Sequence, residues 1–467
     1  MTTTRILILC SLLVGGLSTA DDSYLATEIL RELVAYNTAP SGGNDLRPTV
    51  GSLVARLRAA GFTDDDIDIV NSAEKLPNLV VRYRSQDAER KPILMMAHLD
   101  VVEALPSDWT LPPFTLTEKD GYYYGRGTTD NKAGAAILVA NLIRMKRENF
   151  QPDRDLIVML TADEETTGDG ATILANEHRH LIDAEFALNS DGGSVLERDG
   201  TATAFIMQTS EKVYVNYRLE ASDPGGHSSV PRADSAISRL ARTLVALQEL
   251  RFPIDLNDTT RAFFERSATS FSDAEADIIA AVLAGEPDSE VSAALDAFPY
   301  INSLLRTTCI ATLLSGGHAP NAIPQLATAE VNCRVLPQSK ESDVRESLLA
   351  IAEPNNVSVT EVWPFIQSPP SPLDPQVVDP VTDVAGEFWP GIVVLPQMST
   401  GATDGLFLRN AGIPVYGVSA IAGDANDSRA HGQDERIRID AFETATDYWY
   451  RLIKNLSQGI TKNNQTN

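Results

Sequence analysis

The sequence predicts an α/β protein of two domains. A larger domain carries a largely parallel central sheet flanked by helices, and a smaller inserted α+β domain carries a small antiparallel sheet. Three observations predict it. At 467 residues the chain exceeds what one ordinary core accommodates. Most of it alternates apolar, strand-like runs with helical periodicity, the order that places parallel strands beneath covering helices. Between about 209 and 363 the pattern changes to half-buried, alternating strands separated by amphipathic helices.

In chain order, a polar helix is expected from about Asp22 to Thr38. Neighbouring strands follow in "LPNLVVRYR" and "KPILMMAHL", then an apolar-rich helix in "NKAGAAILVANLIRMKREN" and further strands in "DLIVMLTADEE" and "EFALNSDGG". The inserted unit reads strand "EKVYVNYRLEAS", helix "DSAISRLARTLVALQEL", strand "ATAEVNCRVLP", helix "SDVRESLLAIAE" and strand "VSVTEVW". An acidic, alanine-rich insertion at about 251–304 splits it, and its shape is not legible. The proline-rich "IQSPPSPLDP" marks the return to the first domain, which closes with strand "IPVYGVSA" and helix "DAFETATDYWYRLIKNL". The expected boundaries are 21–208 and 364–467 for the larger domain and 209–363 for the inserted one.

Composition narrows the function. Acidic residues number 64 against 38 basic, a net charge of -26 that disfavours nucleic acid and anionic membrane surfaces as partners. The opening "MTTTRILILCSLLVGGLSTADD" has the three-part pattern of a secretory signal, with cleavage after Ala20 and a secreted or periplasmic destination. Leu9 before Cys10 argues against a lipoprotein anchor, and no later apolar run approaches a membrane span. Cys309 and Cys333 are left for the mature chain, either paired or as free buried thiols.

The chemistry gathers at strand ends, where open α/β sheets place their reactive groups. His98 and Asp100, Glu164 and Glu165, and Asp191 all follow apolar strands; Asp130 and His431 complete the set. Carboxylates at this density repel one another, and burying them unpaired is costly. A cation resolves both problems, and imidazole with carboxylate suits zinc, or cobalt or manganese in its place. A structural acidic cluster is the plainer alternative. A serine hydrolase is disfavoured by the absence of a G-x-S-x-G elbow.

Eight stretches then occur in order: "MMAHLDVV", "YGRGTTDNKAG", "TADEETTGDG", "NSDGG", "GGHSSVP", "NAIPQLATAEVNCRVLP", "GATDG" and "HGQDERI". Together they resemble the M20 family of zinc exopeptidases and amidohydrolases, most closely its carboxypeptidase-type branch. The resemblance implies a catalytic domain, a lid/dimerisation domain and two zinc ions per subunit. It implies His98 and Asp191 on one metal, Glu165 and His431 on the other, and Asp130 bridging. Asp191 stands where many relatives have glutamate. Asp100 is the implied orienter of His98, Glu164 the general base, and Lys132 the lysine that often follows the bridging aspartate. His227 is implied to reach a partner subunit's site and stabilise an oxyanion, and Arg334 to grip a substrate carboxylate. Asn321 and Gly401, Thr403 and Asp404 of "GATD" match substrate-contacting positions, while His318 stays open between substrate contact and loop support.

The expected activity is therefore a dizinc exopeptidase, a carboxypeptidase or dipeptidase cleaving an amide near a free carboxylate. An N-acyl-amino-acid amidohydrolase is the alternative, since the same groups serve either acyl partner. A homodimer through the lid domain is expected. An inactive binding protein is disfavoured because all five implied ligands and Glu164 are present.

Overall fold

The computed structural model describes residues 18–285 and 289–458; the expected signal segment lies mostly outside them. Ile93–His98 and Leu156–Thr161 are buried along their whole length, as strands covered on both faces must be. They pair in parallel, and Phe186–Asn189 and Val415–Gly417 extend the parallel block. The ten-stranded sheet is mixed, because Leu76–Tyr83 joins the block antiparallel on one side and Thr201–Glu211 does so on the other. Lys132–Arg147 is buried over nearly all its length between the sheet and the helices Ser18–Ala35 and Ile439–Leu456. The first of these covers the helix expected near the N-terminus, with ends shifted by a few residues. The last is amphipathic and buries Phe442, Trp449 and Leu452.

The chain leaves this sheet at Lys212 and enters a second sheet ordered Thr308–Gly316, Leu326–Val335, Val213–Ser222, Ser358–Trp363, every pair antiparallel. Alternation along Leu326–Val335 and Val213–Ser222 buries one face under the helices Ala236–Glu249 and Glu341–Ala352. Thr308–Gly316, whose strand character the sequence pattern does not announce, is an edge with Ile310, Leu313 and Leu314 exposed. Cys309 and Cys333 stand directly opposite on adjacent strands and form a disulfide.

The 251–304 insertion folds into short helices, but their apolar faces do not join the small sheet's core. Phe263, Phe264, Ile278, Ile279 and Val282 pack with Ala204, Ile206, Leu395 and Met398 of the large sheet. The reason is chemical: Val393–Ser399 and Thr201–Glu211 lie side by side and present an apolar surface to be covered. Among the described residues, no helix is long and apolar enough to cross a membrane.

Candidate metal centre

His98 ends its strand and is almost wholly buried, so its ring cannot swing away from the groups around it. Its Nδ1 lies 3.0 Å from the main-chain oxygen of Asp100 and 3.6 Å from that residue's carboxylate. Donation from Nδ1–H leaves Nε2 facing Asp130 Oδ1 at 2.8 Å and Asp191 Oδ1 at 3.7 Å. On the far side of Asp130, His431 Nε2 lies 3.1 Å from Asp130 Oδ2 and 3.1 Å from Glu165 Oε2. Two ligand groups result, His98–Asp130–Asp191 and Asp130–Glu165–His431, sharing Asp130, with the candidate atoms of each within 4.8 Å of one another.

The electrostatics are those of a cluster built for cations. Burial opposes the charged form of His98, but the carboxylates of Asp100, Asp130 and Asp191 outweigh it and hold the imidazole well above its usual range. Hydrogen bonding to Asp130 and Glu165 raises His431 to about 10. Burial and the Asp130 charge push Asp191 up to about 6, against the pull of His98. Burial also drives Glu164 well above the ordinary carboxylate range; Asp191, Asp404 and Glu165 add to this and His98 opposes it. Protons thus do what divalent ions otherwise do here. Glu165 Oε1 is buried without a hydrogen-bond partner, a free acceptor at the centre. The donor set therefore fits two divalent ions of the zinc, cobalt or manganese type.

Supporting groups come from distant parts of the chain. The carboxylate of Asp100 accepts the backbone N–H of Glu164 at 3.1 Å and of Glu165 at 3.0 Å, so it grips the glutamate loop as well as neighbouring His98. Asp163 Oδ1 accepts from Gly170 N–H and Oδ2 from the Ser72 hydroxyl, anchoring that loop from behind. Glu435, fully buried, accepts the backbone N–H groups of Gly127, Thr129 and Asp130 and pairs with Arg126 at 2.6 Å. It holds the segment that presents Asp130. Sequence reasoning missed Asp163 and Glu435, although Asp163 adjoins Glu164 in "ADEE" and Glu435 follows His431 by four residues in "HGQDER". Lys132 is buried and donates to the Tyr36 carbonyl at 2.8 Å; burial lowers it to about 7.

A cleft of about 530 Å³ opens onto the cluster. Glu164, Arg334, Thr403 and Asp404 line it, together with Tyr214, Trp363 and Phe407. The Arg334 guanidinium lies over the Tyr214 ring at 4.7 Å and donates to the Thr400 carbonyl at 3.4 Å. Asp404 accepts from the Thr161 hydroxyl at 2.5 Å, and burial raises its carboxyl to about 7. Gly401 belongs to the same loop, its N–H donating to Ser399 Oγ. His227 and Asn321 are not among the residues lining the cleft. His227 is on the two-stranded ribbon Gly226–His227 and Ala322–Ile323, where it is exposed, and Asn321 immediately precedes the second strand, its carbonyl accepting from Ser228 N–H. His318 is exposed nearby in the chain.

The chain is similar in sequence and in fold to known proteins. A family model described as peptidase family M20/M25/M40 matches residues 94–455. The chain is 29% identical over 381 residues to the N-fatty-acyl-amino acid synthase/hydrolase PM20D1 of Homo sapiens, covering 80% of this chain and 75% of that protein. It is 27% identical over 387 residues to a probable carboxypeptidase S-like 2 of Dictyostelium discoideum, covering 81% and 74%. In fold it matches the M20 family metallo-carboxypeptidase Sso-CP2 from Sulfolobus solfataricus with a TM-score of 0.70 at 18% identity, over 92% of this chain and 99% of that one. A family match over most of the chain, joined to a dinuclear-type ligand set at the strand ends, makes this protein a metal-dependent hydrolase belonging to peptidase family M20/M25/M40.

Proposed function

We propose that the protein is an N-acyl-amino-acid amidohydrolase, releasing a carboxylic acid and a free amino acid. One observation carries the reading: the cleft over the ligand cluster has a guanidinium, Arg334, and an apolar wall formed by Trp363, Pro364, Ile366, Leu406 and Phe407. A carboxylate at Arg334 and an apolar acyl group along that wall would present the amide between them. The similarity to N-fatty-acyl-amino acid synthase/hydrolases supports this over the exopeptidase expectation. The exopeptidase reading keeps support from the carboxypeptidase S-like relative.

In this reading His98, Asp130, Glu165, Asp191 and His431 hold two zinc ions, or cobalt or manganese. When bound, such ions supply Lewis acidity and lower the pKa of water. Glu164 takes the proton of the attacking water and delivers it to the amide nitrogen as the C–N bond breaks. Its place in the cleft, outside both ligand groups, suits that role. Arg334 fixes the substrate carboxylate, and Thr403 and Asp404 shape the floor beside it.

His227 lies away from the cleft of its own chain and is offered to solvent, so we assign it to a second subunit's site, where it donates to the developing oxyanion. The exposed apolar edge Thr308–Gly316 supports a homodimer through the lid domain. The Cys309–Cys333 disulfide supports secretion to an oxidising compartment after cleavage near Ala20.

The test is a substrate panel of N-acyl amino acids of graded acyl length, their C-terminal amides, and N-blocked and free dipeptides, each with zinc, cobalt and manganese. N-acyl amino acids should give the highest kcat/KM, and Arg334→Ala should raise KM for acids but barely for amides. Higher kcat/KM for dipeptides would return the assignment to an exopeptidase.

A further inference from the structure

We propose that Glu211 is a positioning residue that ties the lid's hinge to the substrate loop 399–404. The inference rests on the proposed reading only in taking that loop and Arg334 as substrate-contacting. Glu211 is the last residue of the strand Thr201–Glu211, one step before the chain crosses into the small sheet. It is fully buried, and its carboxylate gathers three residues distant in the chain together with Gln208 of its own strand. Oε1 pairs with Arg409 Nη1 at 2.8 Å and accepts from the Ser368 hydroxyl at 3.0 Å. Oε2 accepts from Thr403 N–H, the Thr403 hydroxyl and Gln208 Nε2, each at 3.1 Å.

Those partners have a common logic. Ser368 lies on the returning crossing, just after the strand that ends at Trp363. Three residues on, Ser371 donates its N–H to Thr209 and its hydroxyl to the Val415 carbonyl, and it accepts from Arg409 Nε. Both crossings between the two sheets therefore converge on the Glu211–Arg409 pair. Thr403 and Gln208 line the cleft. The loop is tied to the crossing again where Lys212 N–H donates to the Ser399 carbonyl, and to the lid where Arg334 donates to Thr400.

A structural ion pair is the plainer account, and the molecule contains one for comparison. Arg154 is equally buried and pairs at 2.7 Å with Glu185, whose carboxylate reaches the surface, and neither residue lines the cleft. Glu211 differs because a whole carboxylate oxygen is given to cleft residues. Its chemistry suits such a position, since an ionised carboxylate accepts several bonds at once, whereas the amide of glutamine turns one end into a donor. A lid that moves about these crossings carries the carboxylate grip and the loop together.

The test uses full-length, metal-loaded Glu211→Gln and Ser368→Ala, read by metal content, KM and kcat, and amide hydrogen exchange. In Glu211→Gln, KM should rise about tenfold or more with kcat within about threefold and both metals retained. Exchange across 401–405, including the Thr403 amide, should quicken by about tenfold. Ser368→Ala should shift both in the same direction by about threefold, and Glu211→Asp should recover part of the KM. Unchanged KM and exchange in folded Glu211→Gln overturns the proposal. So does faster exchange with unchanged KM, which assigns Glu211 to stability alone. Should Glu211→Gln fail to fold, Ser368→Ala decides by the same criteria. Exchange needs no substrate, so failure of N-acyl amino acid turnover bears on the proposed function and not on this readout.

Discussion

Glu164 and Glu165 are neighbours in sequence and part company in space. Glu165 reaches Asp130 and His431, while Glu164 faces the cleft outside both ligand groups. Their divergence follows from backbone held at both N–H groups by Asp100, with Asp163 fixed behind. Glu164→Gln should therefore keep both metals and lose about 10²- to 10⁴-fold in kcat, the usual worth of a positioned base. Metal analysis beside steady-state kinetics checks it, and near-normal turnover with full metal would exclude Glu164 as the base. Asp100 was legible as a partner of His98 through the resemblance of "MMAHLDVV" to the family's stretch. Its grip on the glutamate amides was not, since those lie 64 and 65 positions away.

At the scale of elements, the insertion helices act as a cover for the large sheet. Phe264 of the helix Asp258–Ser267 is almost fully buried against that cover's core. Phe264→Ala should cost about 3–5 kcal/mol, seen as a lower denaturation midpoint. Loss from the large sheet's own unfolding transition is expected, and an effect confined to the lid would contradict this packing. The disulfide acts on the other element. It closes a separation of 24 residues, and Cys309→Ala with Cys333→Ala should cost about 3.5 kcal/mol by the chain-entropy relation. A Tm unchanged by reductant would contradict this. Helices 132–147 and 439–456 could be read in advance, the first from its apolar-rich composition and the second from its strong apolar spacing. The insertion could not, because its acidic, alanine-rich helices are short and their faces acquire meaning only against strands 201–211 and 393–399.

At the scale of the molecule, the cluster links metal, proton and stability. In the metal-free protein Asp191 is raised to about 6, Asp404 to about 7 and His431 to about 10. Each binds protons more tightly folded than unfolded, so its contribution is complete below the unfolded value and is lost as pH rises through the folded one. For the carboxyls the loss starts at about pH 4, the ordinary carboxylate value, and for His431 at about pH 6.5. Chelated protein should thus lose Tm from about pH 4 to about pH 7, above which the buried Lys132 and Lys212, each held down at about 7, offset the further loss from His431. The metal-loaded protein should lose much less, because cations replace the protons. Thermal melts with and without chelator measure this; parallel profiles would contradict it. Assembly is tested by mixing His98→Ala chains with His227→Ala chains. One site of each heterodimer then combines an intact ligand set with a partner's intact His227, so each heterodimer should regain the activity of one wild-type site, half that of a wild-type dimer. No recovery, with heterodimers confirmed by native mass spectrometry, would place His227 outside the partner's site.

The sequence by itself determined the α/β class, the inserted second sheet and the identity of the candidate ligand residues. The first two rest on local periodicity, and the candidate ligands on ordered stretches that resemble those of a metallohydrolase family. Tertiary structure decided how the ligands are held. Glu435 meets Asp130 across 305 positions, and Thr161 meets Asp404 across 243. It also decided that Cys309 and Cys333 are bonded, because register alone sets them opposite one another. The physical reason is the same throughout: periodicity reports which face of an element is buried, while a hydrogen bond between distant segments exists only after the sheet has set their order.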